Sequence, residues 1–144
     1  MSDESGLPTP SPRANPETEP FWEATADGQL LLRRCGECDQ YYYYPRAHCP
    51  ECHADTTEWV EASGRGEIYS YSITRGGVGE PYAAATPFVL AYVELEEGPR
   101  MLTNVVGIDL EGGEEPAVGQ AVEVVFEDTD DDENDYALPR FRPV

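Results

Sequence analysis

The sequence predicts a mainly β protein with three parts: a short N-terminal helix, a four-cysteine metal ribbon, and a C-terminal five-stranded barrel of the OB type. Two observations carry this. All four cysteines fall in one stretch, Cys35-Gly-Glu-Cys38, then ten residues, then Cys49-Pro-Glu-Cys52. Beyond it come short runs of β-forming residues punctuated by Gly and Pro, with no second long helical pattern. Five or so such strands fit a small closed barrel better than a β-sandwich at this length. The chain has 144 residues, enough for one domain or two very small ones.

Met1 to Glu19 is rich in Ser, Pro and Glu and nearly devoid of apolar side chains. Such a segment cannot offset the entropy of ordering, so residues 1–19 are expected to form a disordered tail. Pro20 suits a first helical turn, and Phe21-Trp22-Glu23-Ala24-Thr25-Ala26 reads as a short helix stopped at Asp27-Gly28. Phe21 and Trp22 are expected in the core, the alternative being a docking surface. Leu30 to Arg34 leads into the first cysteine pair as an extended strand. Residues 20–56 thus form one unit, helix plus ribbon, and residues 57–144 the barrel.

Within the barrel region, strands are expected at Thr57–Val60, Glu67–Thr74, Phe88–Leu95, Met101–Val106 and Ala121–Phe126, with a last one between Tyr136 and Phe141. Gly64-Arg65-Gly66 separates the first two. Glu127 to Asp135 offers Asp128, Asp130 and Asp132 two apart, as a calcium loop would. The positions that should then hold Gly and a bidentate Glu hold Glu133 and Pro139 instead, so that reading fails.

Cys35, Cys38, Cys49 and Cys52 supply the four thiolates of one tetrahedral site, with a loop between the pairs long enough for a two-stranded ribbon. Two disulfides would need an oxidising compartment, and no leader segment is visible. A redox Cys-x-x-Cys would need a helix to follow it. Four-thiolate iron is chemically allowed, but structural zinc is the preferred reading. Four cysteines close such a site, so it offers no catalytic position, and His48 and His53 are bystanders beside it. The residues after the second cysteine of each pair, Asp39 and His53, fall where a positive φ is needed, which both types tolerate.

Asp and Glu number 29 against nine Arg, with no Lys, for a net charge of −20. This indicates either a surface for a cationic partner or a solvated acidic shell adapted to molar salt, where screening shortens to about 3 Å. The dispersed acids and missing Lys favour the second, a halophilic cytoplasm. No stretch approaches the length of a membrane span. Catalytic sets are scarce, because every cysteine is committed to the tetrad and both histidines adjoin it. A nucleic-acid module is the alternative: Tyr41 to Tyr44 could stack bases, but a strongly acidic chain lacks the basic groove that phosphates require.

Taken together, Phe21-Trp22, Cys35 and Cys38, Pro45-Arg46, Cys49-Pro50 and Cys52, Gly64-Arg65-Gly66, Glu94 to Arg100 and Leu138 to Pro143 resemble a known family. These are the proteins of acyl-CoA metabolism that join a rubredoxin-like zinc ribbon to an OB-fold, catalogued as domain of unknown function thirty-five. The resemblance covers about residues 20–143. Asp39 stands where the family often has Gly, and Tyr44-Pro45 where it often has two prolines. The resemblance implies a non-catalytic, cytoplasmic scaffold that binds a thiolase-like or hydroxymethylglutaryl-CoA synthase-like enzyme, with acyl-CoA contact proposed for the barrel. Arg has the fork that matches phosphate oxygens. Arg46, Arg65 and Arg100 lie on the family motifs and are the candidates for binding CoA phosphates.

Overall fold

The structure is a computed structural model that describes residues 5–130 and 133–144. Helix α1 (Glu19–Thr25) carries Pro20 in its first turn, and the chain turns beyond it at Gly28, φ 72°. Strand β1 (Leu31–Cys35) lies at the centre of a small antiparallel sheet, between β2 (Tyr41–Tyr42) and β3 (Thr57–Glu61). Five further strands close a barrel: β4 (Arg65–Thr74), β5 (Phe88–Leu95), β6 (Arg100–Val105), β7 (Ala121–Asp128) and β8 (Ala137–Pro143). Their order around the barrel is β4-β5-β6-β8-β7, and β6 and β8 run parallel. All the other pairings are antiparallel. Counted from β4 this is the 1-2-3-5-4 circuit of an OB barrel, as the strand pattern predicts.

The alternation along β5 fixes which side faces in. Val89, Ala91, Val93 and Leu95 are buried, while Leu90 and Tyr92 point out. Met101 and Val105 of β6, Val122 of β7 and Phe141 of β8 complete the filling. Phe21, Trp22, Leu30 and Leu32 belong to the same core, so helix, ribbon base and barrel share one apolar interior. The aromatic pair of α1 is therefore a core anchor and offers no docking surface: Phe21 is fully buried and Trp22 is 7% exposed. Thr25 locks the helix to the barrel. Its hydroxyl donates to the Trp22 carbonyl and accepts from the buried N–H of Ala137.

Two features depart from the sequence-based expectation. The strand at 57–61, expected in the barrel, pairs along its whole length with β1, from Leu31 opposite Glu61 to Cys35 opposite Thr57. It is short and polar on one face, a pattern that suits either sheet, and β1 has an open edge to fill. The second departure is the N-terminal segment. From Ser5 onward it lies against the barrel, with Leu7, Thr9 and Thr18 buried; Met1 to Glu4 lie outside the described residues. The segment is held by polar contacts that an apolar count misses. Asp130 donates its N–H to the Thr9 carbonyl, Arg140 donates to the Pro8 carbonyl, and Asn15 accepts from the N–H groups of Glu17 and Thr18. Its prolines also lower the entropy lost on ordering.

Gly64-Arg65-Gly66 acquires a structural reason. Gly64 has φ 80°, and a Cβ there would come 2.7 Å from the Val124 side chain. A Cβ on Gly66 would press into the Glu94 carbonyl oxygen across the β4–β5 ladder. Gly66→Ala should therefore lower stability by about 1–3 kcal/mol, the usual range for overpacking a tight site. Urea unfolding of the purified variant reads this directly, and an unchanged midpoint would refute it.

Candidate metal centre and its surroundings

The two cysteine turns are near copies of one another. In the first, Cys35 donates its N–H to the Gln40 carbonyl and accepts at its own carbonyl from Asp39. In the second, Cys49 donates to Ala54 and accepts from His53. The N–H of Glu37 points at the Cys35 sulfur and that of Glu51 at the Cys49 sulfur, each at 3.4 Å. Asp39 and His53 take the expected left-handed conformation, φ 61° and 67°. These turns aim the four side chains inward. The Cys35 and Cys52 sulfurs are 3.5 Å apart, those of Cys38 and Cys49 3.6 Å, and all four lie within 4.8 Å of one another. A tetrahedron with metal–sulfur bonds of 2.3 Å has edges of about 3.8 Å, so the four atoms fit one zinc ion. The turn N–H groups satisfy the remaining sulfur lone pairs and favour thiolate.

Crowding of four thiols divides their acidities. The Cys35 pKa is lowered to about 7, mainly by the N–H of Cys38 and against the effect of burial. At Cys38 the N–H of Gln40 pulls the pKa down. Burial and the thiols of Cys52, Cys49 and Cys35 outweigh it, and the result is a rise to about 12. Such a set does not rest comfortably as four free thiols, and a divalent ion relieves it by taking all four as thiolates. His48 and His53 line a shallow depression over Cys49 with Glu17, Arg46 and Pro50. The metal-competent cluster among the described residues is the four cysteines without them.

The tyrosine run does not form a stacking platform. Tyr42 is buried and donates its hydroxyl to the Arg46 carbonyl. Tyr43 packs edge-on against Phe21, and burial, reinforced by Tyr44, pushes its pKa up to about 12. Tyr44 retains exposure, but its ring also leans on Phe21 and its hydroxyl accepts from the Trp22 indole. Tyr41 packs against the main core. These rings cement ribbon to helix.

The three candidate arginines lie apart. Arg65 and Arg100 sit near one end of the barrel, in ion pairs with Glu96 and Glu94, each at 3.1 Å, and Arg100 also covers the Tyr69 ring at 3.7 Å. Arg46 is on the ribbon, in a cleft of about 270 Å³ that it shares with Pro16, Arg33 and Trp59. It has no ion pair among the described residues. Sequence reasoning passed over Arg33, whose guanidinium lies 4.4 Å from the Trp59 ring and donates to Thr57. It also passed over the buried pair of Glu127 and Arg140, whose carboxylate opens the acidic run that looked merely solvated. Asp132 of the rejected calcium pattern lies outside the described residues.

Comparison with known proteins bears on both halves of the chain. A family model described as the ChsH2 rubredoxin-like zinc ribbon domain matches residues 22–58, and one described as the ChsH2 C-terminal OB-fold domain matches residues 59–127. A DUF35 domain-containing scaffold protein of Methanocaldococcus jannaschii is 34% identical over 120 residues, covering 80% of this chain and 82% of that protein. A probable enoyl-CoA hydratase alpha subunit of Thermomonospora curvata is 33% identical over 94% of this chain, but the chain spans only 40% of its length. The benzoylsuccinyl-CoA thiolase subunit BbsA of Thauera aromatica is 31% identical over 67% of this chain and 72% of its own. Among solved structures, a chain of the "Ltp2-ChsH2(DUF35) aldolase" superposes with a TM-score of 0.76 at 32% identity, over 92% of this chain and 98% of that one. With the tetrad geometry and the barrel circuit, these matches make the four cysteines a structural zinc site and show that the chain belongs to the DUF35 family of ChsH2-type zinc-ribbon and OB-fold proteins.

Proposed function

We propose that the chain is a non-catalytic accessory subunit that scaffolds a thiolase-family acyl-CoA enzyme. The observation that carries this is the near-complete superposition on one chain of the Ltp2-ChsH2(DUF35) aldolase: the zinc-ribbon and barrel unit serves there as a chain of a named assembly. A relative named as a thiolase subunit supports the same role, as do relatives named as scaffolds. The chemistry of this chain agrees. Zinc closed by four thiolates has no free position for a substrate or water, and the tetrad consumes every cysteine. The partner is a thiolase-like or hydroxymethylglutaryl-CoA synthase-like protein. Acyl-CoA contact fits the same reading. Arg46 is the readiest phosphate ligand of the three candidates, whereas Arg65 and Arg100 would have to exchange Glu96 and Glu94 for it.

A tagged copy purified from its host should bring down a thiolase-fold enzyme in a fixed ratio, identified by peptide mass. Recovery of the chain alone under native salt would overturn the role. The isolated chain should show no thiolase or hydratase turnover with acyl-CoA substrates.

A further inference from the structure

The outer face of the β4–β5–β6 part of the barrel is unlike the rest of this acidic surface. Tyr69, Leu90, Tyr92 and Leu102 are between 38% and 52% exposed. Tyr92 and Leu102 are directly opposed across β5 and β6. A register shift between Ile68 and Ser70 bulges β4 at Tyr69, beside Tyr92. Arg100 lies over the Tyr69 ring and so holds it at the surface. These four large side chains share one face of a rigid closed barrel, and contiguous exposed apolar surface of this kind marks an interaction site. Aromatic anchors on a rigid sheet also lose little entropy on binding.

The charges beside the face indicate what covers it. Glu67 and Glu94 are direct cross-strand neighbours on β4 and β5, and like charges so placed repel. Arg100 compensates Glu94 and Arg65 compensates Glu96, but Glu67 has no such partner among the described residues. A depression of about 430 Å³ opens there, lined by Gly66, Glu67, Glu94, Leu95, Glu96 and Ala121. One uncompensated carboxylate, Glu67, in a hollow at the edge of an apolar face suits a cationic side chain from a partner. A second copy of this chain does not fit, because each copy carries a net charge of −20 and would bring the same carboxylates.

We propose that this face is the docking surface for the thiolase-fold subunit, which covers Tyr69, Leu90, Tyr92 and Leu102 with apolar side chains and places an Arg or Lys against Glu67 in that hollow. The assignment rests on the accessory role given above and adds the surface to it. The closed zinc site and the ribbon then lie outside the contact and serve to hold the fold.

The test uses the full chain and the thiolase-fold subunit that co-purifies with it, with affinity measured by calorimetry. Tyr92→Asp and Leu102→Asp should each weaken the complex at least about tenfold, as expected for anchors at the centre of an interface. Glu67→Arg should weaken it by a similar factor and lessen its salt dependence. Asp55→Ser, at an exposed residue of the ribbon away from this face, should leave it unchanged. Zinc content and urea midpoint equal to the parent chain establish that each variant folds. Where an aspartate variant fails that check, Leu102→Ser and Tyr92→Ser take its place. Folded face variants that bind with parental affinity would overturn the surface and leave the accessory role intact. A parent chain that binds no thiolase-fold subunit would overturn both. A dimer of the isolated chain that these variants dissolve would assign the face to self-association instead.

Discussion

Stripping the zinc should unravel the two cysteine turns, residues 35–40 and 49–56, while the barrel stays folded. The two regions draw on different sources of stability. The barrel, α1 and the base of β1 share the main apolar core, built on Phe21, Leu30, Leu32, Ile68, Val93 and Phe141. The far end of the ribbon has only a second small cluster, Cys35, Tyr42 and Cys49 with Cys38 and Ala54, and three of its five members are ligands. Strand β2 is two residues long and makes two pairings. That is far too little apolar burial to order the two cysteine turns, so the metal must supply the remainder. Structural zinc contributes about 10–16 kcal/mol of apparent binding free energy in small zinc domains near neutral pH. Chelation should release one zinc per chain and abolish amide protection in the two turns, Cys35 to Gln40 and Cys49 to Thr56, with protection of β5 and β6 retained. Cys49→Ser should do the same without chelator. The sign with pH follows from ligation: zinc needs four thiolates, protons compete for them, and the ion should leave as the pH is lowered. A fully protected ribbon at substoichiometric zinc would overturn this account.

The parts of the fold that could be read from the sequence are those set by local chemistry. Cysteine spacing determines the site, and the need for left-handed residues after each turn singles out Asp39 and His53, both found there. An eight-residue, largely apolar run of β-forming residues marks β5 so strongly that its bounds are those expected, Phe88–Leu95. What could not be read depends on partners distant in the chain. The strand at 57–61 has no local feature that chooses β1 over β4, because the choice follows from an open edge that exists only after folding. Residues 5–18 look disordered by composition, since the contacts that hold them come from residues more than a hundred positions away, such as Arg140 to Pro8. The tyrosine run illustrates the same limit. Four aromatic residues in a row indicate burial or stacking equally well, and only the position of Phe21 decides for burial.

Arg140→Met should be among the most damaging single substitutions in the chain, although its site lies in a strand near the C-terminus with no role in the metal centre. Arg140 and Glu127 form an ion pair between β8 and β7 in which each side chain is only 5% exposed. The same guanidinium donates to the Pro8 carbonyl at 2.6 Å, and the same carboxylate accepts from the Ser5 hydroxyl at 3.0 Å. The pair therefore clamps the N-terminal segment onto the barrel as well as joining two strands. Removing Arg140 leaves Glu127 buried without its cation and the Pro8 carbonyl without its donor. Breaking a buried pair in this way costs about 3–5 kcal/mol, because the surviving charge has lost both water and partner. Glu127→Leu should cost a comparable amount for the mirror-image reason. The double variant, Glu127→Leu with Arg140→Met, should be less destabilised than the sum of the singles, since it removes both charges and leaves apolar volume in their place. Urea unfolding of the four proteins gives the coupling energy, and strictly additive effects would show that the pair does not act as a unit. Amide exchange at Leu7 and Thr9 separates the two jobs of the pair. Both single variants should free the segment even where the barrel strands keep their protection. If Leu7 and Thr9 stayed protected without Arg140, the segment would have to be held by its own buried side chains and the Thr9 carbonyl bond to Asp130.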